Sequence, residues 1–121
     1  MANPNIATAA SIYGRSQSLA LTTGAQTLAG SVAGNHVYKV NSLIISNING
    51  SSSADVTVTF YDSSAATTYY IAYTIAVPAK STLVVLSKDT QLYLEESDYI
   101  QAYASANSYL HAVISYEDIY A

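Results

Sequence analysis

Residues 91–117 read QLYLEESDYIQAYASANSYLHAVISYE and contain the clearest strand pattern in the chain. Aliphatic residues alternate with polar or aromatic ones in Tyr99-Ile-Gln-Ala-Tyr-Ala104 and again in Tyr109-Leu-His-Ala-Val-Ile-Ser-Tyr116. Successive strand residues point to opposite faces of a sheet, so this alternation predicts two half-buried antiparallel strands. Ser105-Ala-Asn107 joins them, and we expect the pair to form a hairpin that a second layer of the protein covers.

Similar runs recur upstream, at 18–23, 26–29, 55–61, 68–76 and 82–86, with turn residues between them and no amphipathic helix. Short strands at spacings of roughly 8 to 12 residues are typical of antiparallel sandwiches. The sequence therefore predicts an all-β fold, an antiparallel β-sandwich or jelly roll. We expect 55–61 and 68–76 to pair as a hairpin.

The run 36–48, HVYKVNSLIISNI, is the first strong strand and should be central. Its apolar residues Tyr38, Val40 and Ile44 have even numbers and so should lie on one side of the strand, whereas Leu43 and Ile45 should lie on the other. Either burial of both faces or a β-bulge explains such a change.

The amino-terminal residues 1–16 contain few large apolar side chains, with Ile6, Ile12 and Tyr13 as the anchors. Two interpretations remain open: a flexible terminus, or an arm that becomes ordered on a partner. We predict an extended amino-terminal arm over 1–16 and a single β-sandwich domain over 17–121.

Composition excludes several functional classes. The 121 residues carry a net charge of −4, and the four basic residues are scattered, whereas phosphate-binding grooves need clustered Lys and Arg; direct binding of nucleic acid is not expected. No apolar run of about 20 residues spans a membrane, and residues 1–14 lack the pattern of a signal peptide, so we expect neither membrane insertion nor export by the usual route. Cysteine is absent, which excludes disulfides and thiolate chemistry.

Candidate chemical sites are weak. His36 and His111 lie on separate predicted strands with no carboxylate at a suitable spacing, so we interpret them as surface or interface residues rather than metal ligands. Glu95, Glu96 and Asp98 fit a solvated acidic turn better than a cation site or an acid–base pair. No nucleophile motif or phosphate-binding loop occurs. We therefore predict no catalytic residue, no metal and no cofactor, and we expect that the protein is not an enzyme.

Tyrosine usage is the most unusual feature, with twelve Tyr against one Phe and no Trp. Strand propensity and partial burial account for about half of these residues. Tyrosine is also enriched at protein interfaces, because it joins a large apolar ring to a hydroxyl group. The predicted interface residues are Ile6, Ile12, Tyr13, Tyr69, Tyr70, Tyr99, Tyr103 and Tyr109. A sugar-binding face made of Tyr rings is the alternative.

Several stretches resemble small structural proteins of tailed bacteriophages, especially phages of marine cyanobacteria. They are VYKVNSL at 37–43, ADVTV at 54–58, TIAVPAKSTLVV at 74–85 and YLEESDYI at 93–100, together with Ala104-Ser105 and Ile114-Ser-Tyr116. The acidic turn usually reads LEEGD in such proteins, whereas this chain has Ser97 in place of the Gly, which makes a positive-φ turn there less secure.

The resemblance implies a virion structural protein, assembled in the cytoplasm of the infected bacterial host. Its specific implication is a capsid decoration or cement protein, which binds the major capsid protein and itself, as a homotrimer. A neck, tail or fibre-associated component is the nearest alternative. A glycan-binding β-sandwich module is the alternative from a different class.

Overall fold

The computed structural model describes residues 4–120, which fold into nine β-strands and two single-turn 3-10 helices. The strands are β1 (Ser11–Ala20), β2 (Gln26–Ala29), β3 (His36–Asn47), β4 (Ala54–Asp62), β5 (Thr67–Val77), β6 (Thr82–Leu86), β7 (Leu92–Leu94), β8 (Tyr99–Ala104) and β9 (Leu110–Tyr120). The helical turns are Ile6–Thr8 and Lys88–Thr90. None of the helices in this part of the chain is long and apolar enough to cross a membrane.

The strands form two antiparallel sheets packed as a sandwich, as predicted. The five-stranded sheet has the order β1-β9-β3-β6, and β7 continues the β6 edge of β3; the four-stranded sheet has the order β2-β8-β4-β5. The predicted hairpin of β4 and β5 is confirmed. Most other connections cross from one sheet to the other, and this order of strands is that of a jelly roll.

Aliphatic side chains from the inner faces of both sheets fill the space between them. Fully buried members are Val40, Leu43, Ile45, Ala112 and Ile114 from one sheet, and Val56, Val58, Ile100 and Ala102 from the other. Each buried Val, Leu or Ile contributes about 1.5–3 kcal/mol relative to its exposed state. None of the twelve tyrosines is fully buried, so the aromatic side chains are left to the outer faces, edges and ends of the sandwich.

The parity change in β3 is a β-bulge. Its pairing with β9 shifts by one residue between Val40 and Ser42. Val40 before the shift and Leu43 and Ile45 after it therefore all point into the core, where each is fully buried. The predicted central position of this strand is also confirmed, since β3 pairs with β9 on one side and with β6 and β7 on the other.

The predicted hairpin of β8 and β9 is wrong. β8 pairs with β2 and β4, whereas β9 pairs with β1 and β3 in the other sheet. The connection crosses the sandwich, and backbone hydrogen bonds from Ser108 and Ala104 to the β1–β2 turn support it: Ser108 donates to Leu21 and Ala104 donates to Thr22. Alternation does not distinguish the two arrangements, because the apolar sides of both strands face one core in either case.

Residues 11–16 of the predicted arm belong to the sheet. β1 pairs with β9 over ten residues, from Ser11 opposite Tyr120 to Ala20 opposite His111. The predicted boundary between residues 16 and 17 thus falls inside a strand. The predicted strand at 18–23 overlaps only the end of β1. The part before residue 18 was missed because most of its side chains are exposed and its stabilising contacts are polar, including a hydroxyl pair between Ser16 and Ser115.

The acidic turn is built around a buried carboxylate. Asp98 is only 2% exposed, and its side chain accepts hydrogen bonds from the backbone N–H groups of Glu95 and Ser63 and from the Ser63 hydroxyl. The prediction of a solvated turn is therefore wrong for Asp98. Ser97 adopts φ of +66°, so the positive-φ turn forms without the glycine found in the resembling proteins.

Gly30 packs against this turn with φ of +107°, and a Cβ atom there would lie 2.5 Å from the carbonyl oxygen of Asp98. We predict that Gly30→Ala lowers the free energy of unfolding by about 2–4 kcal/mol, because backbone strain and steric overlap add. Urea denaturation measures the effect. Gly24→Ala is the matched control, since its new Cβ would meet only Thr22 Oγ1 at 3.8 Å. Equal stability of the two variants would contradict this account of the turn.

Candidate interaction surface

The structure brings together three of the eight predicted interface residues. Tyr70 on β5 and Tyr99 and Tyr103 on β8 lie on the outer face of the four-stranded sheet. The other five lie elsewhere in the fold: Ile6, Ile12, Tyr13, Tyr69 and Tyr109. An interface role for these residues remains a prediction.

The five outlying residues occupy separate environments. Ile6 lies in the first helical turn and, with Val37 and Tyr93, lines a cavity of about 470 Å³. Ile12 and Tyr13 are exposed on opposite sides of β1, Tyr69 is exposed on β5, and Tyr109 packs partly against the core.

The register of β4 defines the outer face. Val56 and Val58 point inward, so Thr57, Thr59 and Tyr61 point outward. On β8 their direct partners are Tyr103, Gln101 and Tyr99, in that order, and on β5 the partner of Thr59 is Tyr70. We name this surface the tyrosine face, made of Tyr61, Tyr70, Tyr73, Tyr99 and Tyr103 with the Thr and Gln residues between them.

Two ring pairs order the tyrosine face. Tyr61 and Tyr99 stack with centroids 4.8 Å apart and planes at 16°. Tyr70 and Tyr73 meet edge to face, with centroids 4.9 Å apart and planes at 74°. Such aromatic pairs contribute about 0.5–1.5 kcal/mol beyond their buried area, so the rings hold defined positions before any partner arrives.

A β-bulge places Tyr73 on this face. The pairing of β5 with β4 shifts twice: between Thr59 and Val58, where Ile71 is an extra residue of β5, and between Val58 and Val56, where Tyr73 and Thr74 both stand opposite Thr57. Thr74 adopts φ of +47°, and its N–H donates to Thr57 Oγ1 at 3.1 Å. Strict alternation over residues 68–76 predicts Tyr73 on the opposite side from Tyr70, and that prediction is wrong because the extra residue Ile71 reverses the parity between the two tyrosines.

Polar groups of the tyrosine face bond to one another. Gln101 donates from Nε2 to Thr27 Oγ1 at 3.2 Å, and the Thr59 hydroxyl donates to the Gln101 carbonyl at 3.5 Å. Thr57 and Thr59 are buried although they point outward, which we attribute to the larger side chains beside them. The Thr59 hydroxyl and the Gln101 amide would therefore keep these partners if another surface covered the face.

A second cluster surrounds Asp118 at the end of the five-stranded sheet. Asp118 Oδ1 lies 2.7 Å from His36 Nδ1, and Asp118 Oδ2 accepts from Arg15 Nε at 3.2 Å. The His36 ring stacks on Tyr120 with centroids 4.5 Å apart, and Tyr120 stacks on Tyr13 at 5.8 Å. This cluster joins β1, β3 and β9.

The sequence-based statement that no carboxylate reaches either histidine is wrong for His36. Position 118 is distant in sequence, but Tyr38 stands directly opposite Asp118 in the β3–β9 ladder, and His36 is the next residue on that face. His111 is exposed on β9. Within residues 4–120, no group of three or more His, Asp or Glu side chains is placed to hold a metal ion.

Two tyrosines next to this cluster are held in their neutral form. Burial raises the pKa of Tyr38, and the Asp118 carboxylate raises it further. Burial also raises the pKa of Tyr116, although Arg15 opposes the change. The two rings lie 4.8 Å apart. They act as packing groups between the core and the Asp118 cluster rather than as acids.

We predict that Asp118→Ala lowers the free energy of unfolding by roughly 1–3 kcal/mol, because Arg15 and His36 lose their shared acceptor. It should also speed amide hydrogen exchange over residues 11–16, since the cluster holds β1 on the sheet. Glu117→Ala is the control: its pair with Lys39 spans 3.7 Å at a half-exposed position and should contribute at most about 1 kcal/mol. Unchanged exchange in β1 after Asp118→Ala would contradict a holding role.

No family model matches this chain, and no curated protein sequence matches it. Among solved structures, the fold is similar to that of a protein from Bacillus endospore appendages, a novel family of disulfide-linked pili, with a TM-score of 0.52 and 13% identity over 91% of this chain and 86% of that one. Another match is the VP2 subviral particle of infectious bursal disease virus, with a TM-score of 0.45 and 12% identity over 91% of this chain and 32% of that one. At these identities the likeness is one of fold, and neither structure is that of a tailed phage.

Proposed function

We propose that this protein is a structural subunit of a large assembly, and specifically a decoration protein of a virion. In this role it binds the outer surface of a phage head and stabilises contacts between major capsid subunits. The observation that carries the proposal is the tyrosine face: an ordered, uncharged aromatic surface on a domain whose described residues contain no recognisable catalytic arrangement.

The chemistry of the tyrosine face suits protein contact. Tyrosine offers apolar area and a hydroxyl at a low cost in side-chain entropy, and aromatic residues are enriched in the cores of interfaces. Two polar side chains of the face, Thr59 and Gln101, already have hydrogen-bond partners on the same sheet. Many weak contacts of this kind, repeated over a shell, sum to a large stabilisation through multivalency.

Two further considerations support a structural role. The first is that short stretches of the sequence resemble structural proteins of tailed phages. The second is that the fold resembles that of a pilus protein, which is only 13% identical to this chain but is itself part of an assembly. Fold alone does not determine function, so the proposal depends on the surface and not on the jelly roll.

Two alternatives define the outcomes of the tests. A neck, tail or fibre component would use the same contacts at one vertex of a particle. A glycan-binding module would stack sugars on open ring faces, but Tyr61 and Tyr99 cover each other on one side, and the Tyr70 and Tyr73 rings meet edge to face. Binding on a glycan array that Tyr→Ala changes on the tyrosine face abolish would favour the sugar-binding role.

Copy number separates the structural roles. We expect quantitative mass spectrometry of purified particles to give a ratio to the major capsid protein of about one, or a simple fraction such as about one third. A ratio of a few per cent would place the protein in the neck or tail. Its absence from particles would refute the virion proposal.

Attachment should depend on the tyrosine face. We predict that Tyr70→Ser combined with Tyr103→Ser lowers the affinity for particles lacking the native protein at least about tenfold, the equivalent of 1.4 kcal/mol. Co-sedimentation with such particles measures the binding, and thermal unfolding checks the fold. The control is Tyr93→Ser, an exposed tyrosine on β7 of the other sheet. Equal losses for both variants would show that the tyrosine face is not the specific contact.

The amino-terminal segment gives a separate test. Deletion of residues 1–10 leaves β1 whole, so the domain should keep its stability, while attachment should weaken if the segment binds a partner. The same co-sedimentation assay applies. Unchanged attachment would refute the arm hypothesis without affecting the tyrosine face.

A further inference from the structure

We propose that β5 is a pairing edge through which two copies of this chain join into one continuous sheet. β5 is the last strand of the four-stranded sheet and pairs only with β4 among the strands of residues 4–120. It is eleven residues long, and eight of these residues are exposed. The inference concerns self-association and does not depend on the proposed virion role.

β5 lacks most features that protect edge strands. Natural edges are usually short, charged, interrupted by proline or bulged, because unpaired N–H and C=O groups otherwise recruit another strand. Residues 67–77, TTYYIAYTIAV, contain neither a charge nor a proline. The other edges of the two sheets differ: β2 has four residues, β6 has five, and β1 carries Arg15 and Gly14.

The bulges in β5 leave a regular segment free. Residues 67–70 pair with β4 residue by residue, from Thr67 opposite Asp62 to Tyr70 opposite Thr59, and the register shifts begin after that point. The unpaired side of this segment has regular strand geometry. It therefore offers evenly spaced backbone groups to an incoming strand.

Exposed apolar area near the edge is large enough to matter. Tyr69, Tyr70 and Tyr73 are 54–62% exposed, and Ile75 is 42% exposed. The three rings together leave on the order of 350 Å² accessible, close to half of the roughly 800 Å² that each partner buries in a standard interface. The paired backbones and Ile75 would supply much of the remainder.

A second copy is the occupant that fits. Antiparallel pairing of β5 with itself about a two-fold axis brings no like charges together, because the strand has none. Residues directly opposite each other in a sheet lie on the same face, so their numbers must have the same parity. If the two-fold axis passes through the 67–70 segment, one residue of that segment lies directly opposite the same residue of the second copy. Tyrosines of the two copies are then neighbours across the interface.

Sedimentation equilibrium of the whole chain tests the pairing. We expect a dimer, and we expect Thr68→Lys combined with Tyr70→Lys to shift it to monomer, because charges on an edge block strand addition. The control is Ser18→Lys combined with Ala20→Lys, at exposed positions of the edge strand β1, which should remain dimeric. A wild-type chain that is monomeric at concentrations on the order of 1 mM, or a trimer as the phage resemblance implies, would overturn the proposal.

A cross-linking experiment tests the same pairing if the lysine variant fails to fold. The chain has no cysteine, so Thr67→Cys, Thr68→Cys, Tyr69→Cys and Tyr70→Cys each introduce a single thiol. Disulfide formation needs Cβ atoms about 3.5–4.5 Å apart, so mild oxidation should cross-link one of the four variants strongly and Ser18→Cys weakly. Cross-linking of Ser18→Cys at an equal or greater rate, or of none of the four, would refute β5 pairing.

Discussion

The long ladder between β3 and β9 is the constraint on which the five-stranded sheet depends. It joins His36 to Asn47 with Leu110 to Tyr120, and every other strand of that sheet pairs with one of these two. Its single register shift, between Val40 and Ser42, turns the second half of β3 so that Leu43 and Ile45 enter the core. Without that shift the same residues would point to solvent and the inner face would lose its aliphatic cover.

Period-two alternation located most strands but predicted only one of two hairpins correctly, the pairing of β4 with β5. It located β4, β5, β6 and β8 well, because each has a clear inner and outer side, and it indicated the bulge in β3. It could not assign β8 and β9 to different sheets, since parity reports which side faces the core and not which layer a strand belongs to. The first part of β1, before residue 18, was missed for another reason: its inward positions include Tyr13 and Arg15, which meet the Asp118 cluster rather than aliphatic side chains.

The tyrosine face was partly predictable for the same reason. Tyr99 and Tyr103 lie on the side of β8 opposite to its aliphatic residues. Tyr61 likewise lies on the side of β4 opposite to Val58 and Phe60, so the same pattern would have added Tyr61 to the predicted interface residues. Alternation gives the wrong side for Tyr73, because the register shift at Ile71 reverses the parity between Tyr70 and Tyr73. The Asp118 cluster was hidden by distance along the sequence, since His36 and Asp118 are 82 residues apart and meet only through the β3–β9 register.

Two buried aspartates help to stabilise this domain, which has few charged residues and no cysteine. Asp98 closes the turn before β8 by accepting from three donors, and Asp118 holds β1 to the sheet through Arg15 and His36. Each carboxylate is placed where a strand begins or ends, so hydrogen bonds to a charged acceptor stabilise junctions that aliphatic packing does not reach. The residues that form the tyrosine face carry no charge, and the ion pair of Lys39 with Glu117 lies on the other sheet. That separation leaves the tyrosine face and the β5 edge uncharged. Both proposed contacts require this, because like charges brought together at a contact would repel each other.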